Sequence, residues 1–431
     1  MIINLKNSNR FLYGSTIVFL LLGGFRLLEH RLKTYFFLPE AIKDEVGFYN
    51  NFELYLSEGW YASVASGVSP LYNLCTRFLY FFNGDILLSL RLVGILAMVG
   101  VISAWSYFAY SVLKIRGTIF GIVVLFLITL GFRQMAYFCG TSDGLFIFFM
   151  SLSIIFLFSV VNSEDKKYKN FFFSGIFLAF AVSTRELALF YLLGYVSIFS
   201  FLFFRQHYLW KSFFVWLGSF MLLIGIIHYP AIKEKQQLSI HNKDFKDIDV
   251  TWMEINYLTL LTNKDKLLYG RDTKSNKVTP EEIIAYRKIH GEDALPKTWL
   301  SALFWDVSIT LKNFLGLIYL SQLPFVFQLG LFYLLFIVKP FQKLINNCNL
   351  KQICNVSNLP LLFFILYTIA LCITPIRHIE FRWFMLFPFF ISVFSISIFV
   401  KAISKYPIVE TIFYLNILII SILNISLWGV F

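Results

Sequence analysis

Long apolar runs separated by short polar connections set the pattern of this chain. A bilayer-spanning helix needs about 20 mostly apolar residues. Runs that meet or approach this length lie at 11–28, 86–113, 118–132, 144–161, 171–183, 187–204, 212–228, 314–338, 359–374, 384–400 and 408–431. The pattern predicts an all-α, polytopic helical membrane protein with about eleven transmembrane helices, forming a single domain over residues 1–431. The runs at 118–132 and 171–183 are short and call for local thinning of the bilayer.

The polar connections carry an orientation. With the N-terminus in the cytoplasm, the inner segments are 1–10, 114–117, 162–170, 205–211, 339–358 and 401–407. Each is rich in Lys or Arg, as the positive-inside bias requires of short cytoplasmic loops. Apart from Glu164, Asp165 and Glu410, the acids fall on the opposite side. The first run is followed by Arg26, Leu27, Leu28 and Glu29 rather than by a small-residue cleavage site, so it reads as an uncleaved anchor.

Two outer loops are large. The first, 30–85, contains amphipathic stretches at 48–60 and 72–82 that suit helices lying in the membrane interface. The second, 229–313, is the most hydrophilic part of the chain. Within it, Thr279-Pro280-Glu281-Glu282 reads as a helix start, with Thr as N-cap, Pro at the first position and acids in the first turn.

Composition supports this reading. The 431 residues are 58% hydrophobic and 14% charged, against about 25% charged in an ordinary soluble domain. Mean hydropathy is +0.71. The net charge of +12 comes from Lys and Arg scattered among apolar runs, not from one basic face or arm, which argues against nucleic acid as a partner. The five Cys form no CxxC, and the six His include no HExxH pair.

Candidate chemistry collects at helix ends on the outer side, where ionisable groups are costly to bury and mark a site or a polar cavity. Asp44 and Glu45 follow the first run. Asp143 opens the fourth, in Gly140-Thr141-Ser142-Asp143-Gly144. Arg185 and Glu186 separate the fifth and sixth, and Arg377, His378, Glu380 and Arg382 fill the connection before the tenth. Taken singly, Asp143 could serve as a helix N-cap and Arg185-Glu186 as a local ion pair. As a set, Arg forks suit phosphate, while carboxylates serve as a general base or hold a divalent metal. The combination fits transfer from a lipid phosphate. It predicts that Asp44, Asp143, Arg185 and Arg382 lie close together.

The layout resembles the C superfamily of membrane glycosyltransferases (the GT-C fold), which includes the protein O-mannosyltransferases and the bacterial aminoarabinose transferases of lipid A. Asp44-Glu45, then Tyr49, Gly59 and Ser69-Pro70-Leu71-Tyr72, are similar to that superfamily's first outer loop. Ser142-Asp143-Gly144-Leu145 resembles its second outer acid. The stretch from Gly175 to Ser183-Thr184-Arg185-Glu186 is similar to its helix ending in Thr-Arg or Thr-Lys. Glu380-Phe381-Arg382-Trp383-Phe384 resembles its Glu-Arg-Tyr-Phe segment, with one residue inserted and Trp in place of Tyr.

The resemblance implies an inverting enzyme in a bacterial cytoplasmic (inner) membrane. Its donor would be a polyprenyl-phosphate sugar and its acceptor a protein, lipid or glycan on the outer face. Asp44 would be the catalytic base and Glu45 its supporting or acceptor-contacting neighbour, with Asp143 a supporting acid. Arg185, Arg382, Arg377 and His378 would meet the donor phosphate. A divalent metal, held by Glu45 or Asp143, is left open. Two other readings stand beside this one: a polysaccharide polymerase or ligase using lipid-pyrophosphate substrates, and a non-enzymatic lipid-sugar flippase or transporter. The transporter reading calls for an internal repeat and charges deep within helices; inspection finds no repeat, and the central parts of the helices are almost free of acids.

Overall fold

A computed structural model describes residues 5–42, 44–67, 69–161, 168–206, 210–239, 249–263, 268–269, 277–346, 358–374, 378–403 and 406–426. In chain order the helices are α1 (Leu5–Arg31), running into a π-turn (Leu32–Phe36), α2 (Glu45–Ser66), α3 (Pro70–Asn83), α4 (Ile86–Ser111), α5 (Gly117–Phe138), α6 (Asp143–Val161) and α7 (Tyr168–Val182). A 3₁₀ turn (Glu186–Phe190) leads into α8 (Tyr191–Gln206), followed by α9 (Trp210–Lys235), α10 (Trp252–Thr262), α11 (Pro280–His290) and α12 (Trp299–Trp305). Then come α13 (Val307–Leu329), α14 (Leu331–Asn346), α15 (Leu359–Cys372), a 3₁₀ turn (Phe381–Phe384), α16 (Leu386–Ile403) and α17 (Pro407–Ser426).

Eight helical stretches are long and apolar enough to cross a membrane, and three shorter apolar helices accompany them at Tyr168–Val182, Leu359–Cys372 and Ile408–Leu423. The chain is a multi-pass helical membrane protein. The run at 118–132, expected to be short, extends to a full 22-residue helix, because Arg133, Gln134 and Tyr137 continue α5 past the apolar stretch. The run at 314–338, expected as one helix, is broken. Gly330 takes a φ of +51°, and the rings of Phe325 and Tyr333 stack with centroids 5.5 Å apart. A straight helix would separate residues eight apart by about 12 Å along its axis, so the chain turns sharply here. Asn416 on α17 accepts the Leu331 amide at 2.9 Å and secures the turn.

Helix α16 sits at the centre, buried on all sides from Leu386 to Ile396. A helix apolar all round belongs inside a bundle rather than against lipid. Phe390 and Phe394 pack on Phe158 of α6, and Phe390 also packs on Trp105 of α4 and Phe363 of α15. Where the apolar effect does not distinguish protein from lipid, polar pins and small residues set helix pairing. Trp105 donates to Ser151 at 3.0 Å, Ser153 to the Ser174 carbonyl at 2.7 Å, and Ser395 to the Phe332 carbonyl at 2.7 Å.

Two regions stand outside the bundle, at the end where α1, α5 and α7 finish and α4 and α6 begin. Helices α2 and α3 form the first. Helix α3 buries Leu71, Tyr72, Asn73 and Thr76, and leaves Phe78, Phe81 and Phe82 exposed. The second contains α10, α11 and α12, with a small core of its own built from Val250, Ile255, Leu258, Ile283, Leu295 and Ala302. Helix α11 starts as its sequence predicts: Thr279 accepts the Glu282 amide at 3.3 Å and Pro280 is the first helical residue. A two-residue parallel pairing of Leu268–Tyr269 with His378–Ile379 ties this region to the segment just before Glu380.

Candidate active site

The segment between the π-turn and α2, which leads to Asp44 and Glu45, has little regular structure of its own, and one buried arginine holds it. Arg91, in the second turn of α4, is 2% exposed. Its Nε and Nη2 meet Glu45 Oε1 and Oε2, both at 2.9 Å. Its Nη1 donates to the carbonyls of Phe36, at 2.9 Å, and Leu38, and its Nη2 also donates to the Glu40 carbonyl at 2.9 Å. Glu45 further accepts the Ile42 amide at 3.1 Å. One guanidinium thus organises the chain from Phe36 to Glu45. The fit depends on Gly140, whose φ is +69° and where a Cβ would lie 1.8 Å from Glu45 Oε1.

Asp44 lies beside this anchor and points the other way, with its side chain 52% exposed. Its Oδ2 meets Arg382 Nη1. The same Nη1 lies 3.7 Å from Oδ2 of Asp143, and Arg382 Nε meets Glu380. Asp143 is 1% exposed, and its Oδ1 meets Arg185 Nη1. Asp44, Arg382, Asp143 and Arg185 therefore form a continuous chain of ion pairs, with Glu380 as a branch. Arg185 pairs across the bundle with Asp143 rather than with its neighbour Glu186. Asp143 occupies the first turn of α6, where the helix dipole favours a carboxylate.

Local folding explains how each group arrives. Arg382 stands on the 3₁₀ turn Phe381–Phe384, whose Phe381, Trp383 and Phe384 are buried while Arg382 faces the carboxylates. Tyr367 donates to the Trp383 carbonyl and fixes this turn. The Ser69-Pro70-Leu71 motif holds the Arg185 segment: Ser69 Oγ donates to the Thr184 carbonyl at 2.6 Å and the Leu71 amide to the Ser183 carbonyl at 3.3 Å. His228 adds a contact to Ser183 Oγ at 3.1 Å.

Burial works against the charge of Arg382, but the carboxylates of Asp143, Glu380 and Asp44 outweigh it and hold the guanidinium above its ordinary pKa. Tyr72, beside Glu45 and Asp143, is pushed well above the usual phenol range, first by burial and then by the Glu45 charge. Among the described residues, no group of three or more His, Cys, Asp or Glu stands ready to hold a metal ion. Arg382 itself occupies the space between Asp44, Asp143 and Glu380.

Of the residues singled out in the sequence, the structure brings together Asp44, Asp143, Arg185 and Arg382, and it places Glu45 behind Asp44 on Arg91. Arg377 lies outside the described residues, as does the side chain of His378. Sequence reasoning missed Arg91. The signal was present, since it is the lone charged residue in the 26 residues of α4, and a charged group inside an apolar helix marks a functional or structural polar contact. The same holds for Arg133 in α5. The chain matches no protein-family model and no curated protein.

Proposed function

We propose that the protein is an inverting glycosyltransferase that moves a sugar from a polyprenyl-phosphate donor to an acceptor at the outer face of the membrane. One observation carries this reading. Carboxylates and guanidiniums from four separate segments, spanning Asp44 to Arg382, converge at one end of an apolar bundle. Such groups at a bilayer boundary suit a substrate whose phosphate is charged and whose tail is lipid. The resemblance to the C superfamily points the same way.

In this reaction Asp44, the half-exposed acid of the cluster, accepts the proton of the acceptor hydroxyl. The acceptor oxygen attacks the anomeric carbon from the face opposite the phosphate, the carbon–oxygen bond to phosphate breaks, and the polyprenyl phosphate leaves with the negative charge. Arg382 orients the Asp44 carboxylate, and its charge, with that of Arg185, steadies the one developing on the leaving group. Glu45 acts through Arg91, holding the loop that presents Asp44.

A transfer assay in membranes with labelled polyprenyl-phosphate sugars tests this. Asp44→Asn keeps the shape and removes the base, and is expected to lower transfer by about 10²–10⁴-fold while expression persists. Arg382→Ala should also lower transfer strongly. Undiminished transfer in Asp44→Asn would overturn the assignment of the base.

A further inference from the structure

Helices α8 and α9 leave a hollow between them, toward the end of the bundle away from the ion-pair chain. Helix α8 follows the 3₁₀ turn that begins beside Arg185 and runs away from the site. Helix α9 returns to it, where His228 meets Ser183 Oγ at 3.1 Å. The two helices meet through rings. Phe199 lies against Phe213 and Trp216, with centroids 5.3 and 4.8 Å apart, and Trp216 stacks on Phe220 at 6.1 Å. The hollow has a volume of about 580 Å³, and its lining, which includes Val196, Phe199, Phe203, Phe213, Trp216 and Phe220, is almost wholly apolar.

Spacing explains the lining. Phe199 and Phe203 stand four apart on α8, while Phe213, Trp216 and Phe220 stand three and four apart on α9, so each set shares a face. Val196, Phe203 and Met221 also line the hollow and are 55%, 42% and 57% exposed. It therefore opens outward, where a spanning bundle meets hydrocarbon.

Hydrocarbon fills such a space, because an empty one leaves its lining without contacts on one side. Hydrocarbon alone does not complete it. Trp216 is 5% exposed, and its Nε1 is buried without a hydrogen-bond partner among the described residues. An indole N–H only donates, and a buried donor left unpaired is costly. The occupant must bring an oxygen acceptor as well as a chain. Position says which kind. Trp216 is six residues into α9, about 9 Å from its start. A depth of about 5–10 Å corresponds to the boundary of headgroups and acyl chains, where a diacyl phospholipid carries its ester carbonyls. An isoprenoid chain carries oxygen only at its phosphate end, and His228, beside the arginine-bearing segment, is about 18 Å further along α9.

We propose that this hollow is a binding site for a diacyl phospholipid of the leaflet away from the ion-pair chain. One acyl chain lies among Phe199, Phe203 and Phe213, and an ester carbonyl accepts from Trp216 Nε1. The inference goes beyond the transferase reading and does not rest on it.

Native mass spectrometry of the full-length protein, delipidated in detergent, tests this by titration. The probes are dioleoyl phosphatidylglycerol and its diether analogue, which has the same headgroup and chains but no ester carbonyls. Wild type is expected to bind its first diester molecule about fivefold more tightly than the diether, the effect of one hydrogen bond. Trp216→Phe keeps a ring and loses the donor, so it should bind the two lipids equally. Val196→Trp fills the hollow from an exposed position and should weaken both by about tenfold or more. Should Val196→Trp fail to fold, Met221→Trp fills the hollow from α9. Equal binding of diester and diether by wild type, or undiminished binding in a folded, filled variant, overturns the proposal. Displacement of the diester one for one by farnesyl phosphate gives the hollow to isoprenoid tails and overturns it as well.

Thermal unfolding separates binding from support of the fold. The diester lipid should raise the midpoint of wild type and leave that of Val196→Trp unmoved, since only a protein with the site gains from the ligand. A lowered midpoint in Trp216→Phe with the diester preference retained makes Trp216 a packing residue and overturns the proposal.

Discussion

Arg91 illustrates how a single buried cation can position a carboxylate that it never touches. Its donors meet Glu45 and three backbone carbonyls, and Asp44 is the next residue along. Replacing Arg91 with Ala leaves Glu45 buried and unpaired, a change that costs about 3–5 kcal/mol. We expect Arg91→Ala to lower the thermal midpoint in detergent clearly, and to lower transfer through Asp44. Arg91→Lys keeps the charge but not the fork, and should recover only part of the stability. An unaltered midpoint in Arg91→Ala would show that the loop is held by other contacts. The sequence displayed Asp44, Asp143, Arg185 and Arg382 as candidates because charges at the ends of apolar helices stand out. It did not display their pairing. Arg185 has Glu186 next to it, yet meets Asp143, 42 residues earlier in the chain.

At the scale of elements, the region of α10, α11 and α12 behaves as a small unit laid on the bundle. Glu254 joins its parts. One carboxylate oxygen closes the cap of α10, accepting the Thr251 amide at 2.9 Å, while the other meets Arg287 of α11, whose Nε lies at 3.0 Å. Arg287 also donates to the Asp249 carbonyl at 2.9 Å. Arg287→Ala is therefore expected to loosen this unit by about 3–5 kcal/mol and to speed its cleavage in limited proteolysis, leaving the transmembrane fragments intact. Replacing both partners, as in Glu254→Gln with Arg287→Met, should restore much of the resistance. Equal cleavage of wild type and Arg287→Ala would remove the pair from this role. The start of α11 was legible in Thr279-Pro280, since N-cap chemistry is local. The break at Gly330 was not, since a glycine within an apolar run reads the same whether the helix continues or turns.

For the whole molecule, the ends of α1, α5 and α7 and the starts of α4 and α6 meet at the site, as they do when successive helices cross in alternate directions. On the charge asymmetry of the connections, we propose that this end faces outside. A cysteine introduced at Lys288, on exposed α11, should react with a membrane-impermeant maleimide in intact cells. One at Lys401, near the end of α16, should react only after permeabilisation. The opposite pattern would invert the protein in the membrane and move the site to the cytoplasmic face. Background from Cys75 should be small, because burial pushes its thiol up to about 11 and leaves little thiolate at neutral pH.

The sequence by itself determined that this chain is helical and multi-pass, which helices carry ionisable ends, and where the hydrophilic loops fall. Those properties depend on runs of about 20 residues and on local caps, both readable along one dimension. Tertiary structure alone decided that Arg91 grips Glu45 and that Arg382 joins Asp44 to Asp143. It alone turned the chain at Gly330. Inside a bilayer almost every helix face is apolar, so periodicity does not say which faces meet. The partners of a charge are settled by packing across hundreds of residues, through glycines that permit close approach and the few polar groups that must find one another away from water.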